Sequence, residues 1–181
     1  MDMETLMDKK VEVNLSEDGV ANDIMKITFP ENKLTPVHFL KLEVYNQKDS
    51  IIANTFYWRS TNSYKGPWTV GGPLQGGFES LSQLKTSYLN SQLTFKDKGD
   101  RRYYTVRLCN KSFSLAFFNR LMLTDSNTGE IIHPVFYSDN YFSMLPGENK
   151  TITIDVSLQD IHLHPSEIIL EGYNVKRKVL K

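Results

Sequence analysis

Cysteine is nearly absent from this chain of 181 residues: Cys109 is the single one, so no internal disulfide is possible and stability must come from packing. No apolar run approaches the roughly 20 residues that a membrane-spanning helix needs. Net charge is also lacking, because 21 Lys and Arg residues balance 21 Asp and Glu residues, which leaves no field to attract nucleic acid or an anionic membrane. The acidic start, Met1-Asp2-Met3-Glu4, does not resemble a signal peptide, and we expect a piece of a longer protein.

Alternation of apolar and polar residues predicts an all-β chain. Hydrophobic residues make up 40% of the composition, which is enough to form a core. The predicted strands are residues 11–15, 24–29, 38–45, 51–58, 91–96, 102–110, 116–124, 131–137, 150–156 and 167–175. The last six alternate with turn signals at 8–12-residue spacing, which is typical of a β-sandwich. Cys109 falls at the end of one of these strands and is interpreted as a small hydrophobic residue.

Two other features divide the chain. Gly and Pro are concentrated between Arg59 and Gly77, which predicts a domain junction. One short helix is predicted from about Ser80 to Tyr88, because Leu81, Leu84 and Tyr88 recur on one helical face.

Four segments, in this order, resemble a known family: residues 56–60, 115–121, 134–148 and 170–175. They are similar to the last two immunoglobulin-like domains of the exo-β-glucosaminidase and β-mannosidase branch of glycoside hydrolase family 2. The most specific parts are Ser-Asp-Asn-Tyr-Phe-Ser at 138–143 and Leu-Pro-Gly-Glu at 145–148. The resemblance implies a partial immunoglobulin-like domain with only its later strands (1–60), a Gly/Pro-rich connector (61–79) and a complete C-terminal immunoglobulin-like β-sandwich (80–181).

The resemblance also implies a function. The parent would be a retaining exo-β-glycosidase of carbohydrate metabolism, of the β-mannosidase or exo-β-glucosaminidase type, periplasmic or secreted. Such enzymes use two carboxylic residues about 5–5.5 Å apart, which in this family lie on a (β/α)8 barrel, and a barrel needs at least about 200 residues. The chain shows no barrel pattern, so no catalytic residue is assigned to it. It is interpreted as a non-catalytic accessory region that packs on the barrel and other domains of its parent.

An alternative function is an independent module that binds a glycan or a protein. Aromatic faces can stack on sugar C–H surfaces, and large aromatics equally fill cores and interfaces between domains. Asp139 would either cap a turn or lie in a loop facing a sugar site. A truncated first domain would also expose a sheet edge through which two copies could pair. The candidate carbohydrate or interdomain contacts are Trp58, Tyr64, Trp68, Tyr137, Asp139, Asn140, Tyr141 and Phe142.

Several weaker patterns carry no functional assignment. His162 and His164 would share one strand face, but a zinc site needs more ligands, so neither a metal nor any other cofactor is predicted. N-glycosylation patterns begin at Asn14, Asn110 and Asn149. The final basic residues are expected to form a solvated tail, namely Lys176, Arg177, Lys178 and Lys181.

Overall fold

The computed structural model describes residues 3–15, 18–21, 23–29, 33–61, 77–162 and 165–181, without the side chain of His162. The chain divides into two compact units, residues 2–82 and 83–181. The domain boundaries drawn from the resemblance stay a prediction, and residues 62–76 of the expected connector lie outside the described residues. Among the described helices, none is both long and apolar enough to cross a membrane.

The first unit is built on one antiparallel hairpin, β1 (Val37–Tyr45) and β2 (Ile51–Ser60), as predicted. Asn46 shapes its turn, because the side-chain Oδ1 accepts hydrogen bonds from the backbone N–H groups of Lys48 and Ser50. The strands predicted at 11–15 and 24–29 are wrong, since neither segment has regular structure. In the described part of the chain β1 and β2 pair only with each other, so these alternating segments join no ladder.

The second unit contains two four-stranded sheets. Within the described residues their strands are β3 (Leu89–Lys98), β4 (Arg101–Asn110), β5 (Ala116–Asp125), β6 (Val135–Tyr137), β7 (Phe142–Met144), β8 (Asn149–Ser157), β9 (Ser166–Glu171) and β10 (Lys178–Leu180). One sheet has the order β3-β4-β8-β6 and the other β10-β9-β5-β7. Alternate residues of both sheets form one hydrophobic core, with Val106 and Ile154 from the first and Leu121 and Leu170 from the second fully or almost fully buried. The predicted all-β fold is confirmed.

The helix predicted at Ser80–Tyr88 is wrong in extent. Only a 3₁₀ turn forms, at Glu79–Gln83. Ser87 instead makes a parallel bridge with Val175, and its hydroxyl donates to the carbonyl of Leu115, so this segment is recruited into the sandwich. A five-residue helix that the sequence does not predict, α1 (Leu158–His162), follows β8, with the Ser157 hydroxyl accepting from the N–H of Gln159.

The basic tail is only partly solvated, contrary to expectation. Lys178 opens β10, which pairs with β9, and its Nζ donates to the Leu89 carbonyl (2.6 Å) and the Ser91 hydroxyl (3.1 Å). Burial lowers the pKa of Lys178. The ammonium therefore ties the last strand to β3, while Lys176, Arg177 and Lys181 are exposed as predicted.

Candidate functional site: the edge of β5 and its aromatic ledge

One edge of β5 obtains several of its hydrogen bonds from side chains. Near its start, Asn119 pairs with Phe142 of β7, but β7 is too short to continue the ladder. Asn140 takes its place: its Oδ1 accepts from the N–H of Leu121 (2.9 Å) and its Nδ2 donates to the Leu121 carbonyl (3.0 Å). One amide side chain thus replaces a strand residue, because it carries the same donor and acceptor as a peptide group.

Further along the same edge, Tyr137 reaches β5 from the opposite sheet. Its hydroxyl accepts a hydrogen bond from the N–H of Leu123 (2.9 Å). The next bonds along this edge join backbone groups: the N–H of Ile132 donates to the Leu123 carbonyl, and the N–H of Asp125 donates to the Glu130 carbonyl. Burial raises the pKa of Tyr137, so the hydroxyl stays protonated. The strand predicted at 131–137 is therefore wrong in extent: its first part lies along β5, and only Val135–Tyr137 pairs with β8.

Asp139 and Phe142 flank this edge. Asp139 pairs with Lys150 (2.6 Å), and the ammonium of Lys150 also lies 5.4 Å from the ring centre of Phe142, which is buried in the core. The turn-capping bond expected of Asp139 is made by its neighbour, because Asn140 Oδ1 also accepts from the N–H of Tyr141 (3.1 Å).

The Leu-Pro-Gly-Glu segment is a tight turn. The N–H of Glu148 donates to the carbonyl of Leu145 (3.1 Å), and the Glu148 carboxylate accepts from the N–H of Leu145 (2.8 Å). Gly147 has φ of 81°, the conformation that a type II turn after proline requires. Gly147 and Glu148 then bond to the backbone of Asn110, so the turn fixes the start of β8 against the end of β4.

Four aromatic residues beside this edge form what we call the aromatic ledge: Phe117, Phe118, Tyr141 and Tyr173. The pairing of β5 with β7 is irregular between Ala116 and Asn119, which is a β-bulge that carries Phe117 and Phe118. Phe118 (φ 51°) and Tyr141 (φ 57°) both adopt the left-handed backbone region, which is strained for aromatic residues.

The rings of the ledge follow one another in contact. Their centres are 5.4 Å apart for Tyr141 and Phe118, 6.0 Å for Phe118 and Phe117, and 5.8 Å for Phe117 and Tyr173. Phe117 is 5% exposed and forms the base, whereas the other three rings are exposed to solvent. The ledge therefore combines a packed foundation with an apolar outer surface.

A charged pair borders the ledge. Arg120 of β5 lies opposite Glu171 of β9 and donates from Nε to the carboxylate (2.8 Å). The hydroxyl of Tyr141 and the carboxylate of Glu171 both stabilise the guanidinium and raise the pKa of Arg120. Tyr141 is thus the one predicted contact residue of this segment whose ring is exposed and whose hydroxyl lies beside a charged side chain.

The loop of Tyr173 is fastened by Asn174. Its Nδ2 donates to the carbonyls of Lys85 and Leu115 (both 2.7 Å), and its Oδ1 accepts from the N–H of Phe117 (2.8 Å). Glycine is required at position 172, before Tyr173, because an added Cβ would collide with the side chain of Asn119. That side chain is buried and donates a hydrogen bond to the Phe142 carbonyl of β7. The ending Glu-Gly-Tyr-Asn-Val thus holds one end of the ledge.

The remaining predicted contacts lie elsewhere or outside the described residues. Trp58 lies on β2 of the first unit, opposite Phe39, and is exposed. Tyr64 and Trp68 fall outside the described residues. Of the eight candidate contacts, the structure brings Tyr137, Asp139, Asn140, Tyr141 and Phe142 together around the β5 edge, and their function in binding stays a prediction.

In the described ranges, no group of three or more His, Cys, Asp or Glu side chains could hold a metal ion. Asp97, Asp155 and Glu171 each form an ion pair with an arginine. The glycosylation pattern at Asn110 is blocked, because this side chain is fully buried and donates to two backbone carbonyls.

Comparison with known proteins identifies the family. The family model described as the exo-beta-D-glucosaminidase Ig-fold domain matches residues 72–175, more than half of the chain. The chain belongs to this family. The resemblance stated above to the exo-β-glucosaminidase branch and the immunoglobulin-like fold are both confirmed.

Curated relatives are much longer than this Ig-fold chain. It is 28% identical over 159 residues to an exo-beta-D-glucosaminidase of Arthroderma benhamiae and 29% identical over 169 residues to one of Hypocrea jecorina. A Streptomyces avermitilis exo-beta-D-glucosaminidase matches at 22% identity over 178 residues. In the order given, these matches cover 82%, 87% and 93% of this chain. They cover only 17%, 18% and 20% of the respective relatives. The chain therefore spans about a fifth of their length.

A solved structure shows the same fold. The Amycolatopsis orientalis exo-chitosanase CsxA superposes with a TM-score of 0.72 at 21% identity, over 85% of this chain and 19% of that one. At this identity the likeness concerns the fold alone.

Sequence reasoning missed three of the four residues of the ledge. Phe117, Phe118 and Tyr173 stand in segments recognised as belonging to the family, yet the left-handed backbone that exposes Phe118 leaves no mark in its residue type. Two adjacent phenylalanines break strict alternation at the start of β5, and this is the signal that could have indicated a bulge.

Replacing Asn140 by Ala tests the edge of β5. Both polar groups of Leu121 would lose their partner in a buried strand, so we expect the Ig-fold domain to lose about 2–4 kcal/mol of unfolding free energy. Chemical denaturation followed by circular dichroism measures this loss. Asp139→Asn, which removes the partly exposed ion pair with Lys150, is the matched control and should cost less than about 1 kcal/mol. Equal losses for the two variants would contradict the account.

Proposed function

We propose that this chain is a non-catalytic accessory region of a retaining exo-β-glycosidase of glycoside hydrolase family 2, of the exo-β-D-glucosaminidase type. The observation that carries the proposal is the family match over residues 72–175, combined with relatives of which the chain makes up about a fifth. Three of those relatives carry the name exo-beta-D-glucosaminidase. The four fifths of their length outside the match leave room for a (β/α)8 barrel.

The absence of catalysis in the chain itself is part of this proposal. A retaining mechanism needs two carboxyl groups about 5–5.5 Å apart, one as nucleophile and one as acid and base. The carboxylates around the β5 edge are instead bound to cations: Asp139 to Lys150 and Glu171 to Arg120. The contribution of the domain to the parent is mechanical, through packing against the other domains. The parent acts in the periplasm or outside the cell, where polymeric substrates occur.

A second candidate function is supported by the exposed surfaces of the first unit. Its two-stranded sheet exposes Ile51 and Ile52, and isolated two-stranded sheets are marginal without further strands. Two copies of the chain could pair through the edge of this sheet, and the pairing would cover that edge. Sedimentation velocity should then show a dimer that Ile52→Lys abolishes, and a strictly monomeric wild-type chain at high concentration would exclude this candidate.

Hydrolysis assays test the main proposal. The isolated chain should release no detectable product from an aryl β-D-glucosaminide or an aryl β-mannoside, because it lacks the barrel that would hold the two carboxylates. The complete polypeptide that contains it, read from the upstream coding sequence, should hydrolyse one of the two. Turnover by the isolated chain, or an upstream sequence without a barrel, would contradict the proposal.

A further inference from the structure

We propose that the aromatic ledge, together with Tyr88 and Phe113, is the surface through which this Ig-fold domain docks on another folded domain of its parent polypeptide. The inference rests on the proposed function and deepens it, because it names the surface and the kind of partner. The partner surface would be a concave apolar patch with carbonyl or carboxylate acceptors facing Arg120.

Five exposed aromatic side chains of the second unit lie on segments that hydrogen bonds or ring contacts connect: Tyr88, Phe113, Phe118, Tyr141 and Tyr173. The N–H of Tyr88 donates to the Ser112 hydroxyl, next to Phe113 in the loop between β4 and β5. Ser87 and Ser114 join the same two segments (2.6 Å between hydroxyl oxygens). The N–H of Tyr173 then donates to the carbonyl of Phe117, so hydrogen bonds link the segments that carry Tyr88, residues 113–118 and Tyr173. Tyr141 adjoins them through its ring contact with Phe118.

The exposed aromatic area on these segments approaches the area that each partner contributes to a standard interface. The exposed fractions are 41% for Phe118, 54% for Tyr141, 57% for Tyr173, 63% for Tyr88 and 97% for Phe113. At about 200 Å² for a whole aromatic side chain, these amount to roughly 600 Å². That equals the largest apolar patches of ordinary monomers, about 300–600 Å², and approaches the roughly 800 Å² that each partner contributes to a standard interface.

The backbone conformation of the ledge argues against a purely structural explanation. Phe118 and Tyr141 are both exposed and both left-handed, a conformation that Asn or Gly adopts with less strain. Neither exposed ring is needed to fill the core. Strain retained at two neighbouring surface residues indicates that their exposed rings serve a contact.

The shape of the ledge favours a protein over a sugar. Adjacent rings are inclined by 45°, 41° and 75°, so successive faces do not form one flat platform. A stepped surface of Phe, Tyr and Arg side chains matches the composition of protein interfaces. A parent polypeptide as long as the curated relatives would contain the partner domain, because about four fifths of their length lies outside the match to this chain.

Oxidative footprinting of the complete parent and of this chain alone tests the proposal. In the complete parent, Phe118, Tyr141 and Tyr173 should be oxidised about tenfold more slowly than in the isolated chain, because a packed interface excludes water. Phe136 is the matched control: it is an exposed aromatic of β6 with Arg101 over its ring, and its rate should not change. Equal rates at the ledge in both forms would overturn the proposal.

The variant Phe118→Asn separates docking from folding. Because Asn tolerates the left-handed backbone, the isolated variant chain should unfold at the same temperature as the wild type or higher. In the complete parent the same variant should speed the proteolytic release of this domain, whereas Phe136→Asn should not. The inference would be overturned if the variant lowered the unfolding temperature of the isolated chain and left the proteolytic release from the parent unchanged. Phe118 would then serve folding and not docking.

Two further outcomes remain distinguishable. If chitosan oligosaccharides slow oxidation of the ledge in the isolated chain, the surface is a sugar site and the docking inference fails, while the proposed function stands. If the complete polypeptide contains a barrel and hydrolyses a β-glycoside but leaves the ledge unprotected, only the docking inference fails. A polypeptide without a barrel would overturn both.

Discussion

The fold of the second unit depends on how the edge of β5 is covered. A buried strand must satisfy every N–H and carbonyl group, and β7 supplies partners only at the beginning of β5. Beyond β7, the side chains of Asn140 and Tyr137 satisfy both polar groups of Leu121 and the N–H of Leu123. Backbone groups of Ile132 and Glu130 continue the edge. Because Tyr137 reaches across from the opposite sheet, the same hydrogen bond that closes the edge also joins the two sheets.

The most recognisable segment of the chain, residues 138–148, forms and flanks this edge. Most of its polar side chains are committed to backbone groups or ion pairs, and Phe142 is in the core. The same edge supports the aromatic ledge. The bulge of β5 places Phe118 against Tyr141, and Arg120, paired with Glu171, lies beside the phenol. The aromatic ledge is thus a consequence of the way in which the edge is closed.

The sequence predicted the long strands, whose alternation is a local pattern. It did not predict the short strands, which form only where another part of the fold offers an edge to pair with. β3, β4, β5 and β8 have nine or ten residues each and alternate clearly, so their existence was readable. β7 and β10 have three residues each and exist only because β5 and β9 offer them edges. Residues 11–15 alternate equally well and form no strand. Tyr141 was a predicted contact, but Phe118 was not, because left-handed backbone cannot be read from residue type.

Amide hydrogen exchange at two residues tests the central claim that side chains replace a strand along β5. In the wild-type chain the amides of Leu121 and Leu123 should be protected like those of paired core strands. Asn140→Ala should accelerate exchange at Leu121 first, and Tyr137→Phe, which keeps the ring but removes the acceptor, should accelerate exchange at Leu123 first. Fast exchange of both amides in the wild-type chain, or uniform acceleration along β5 in both variants, would contradict the account.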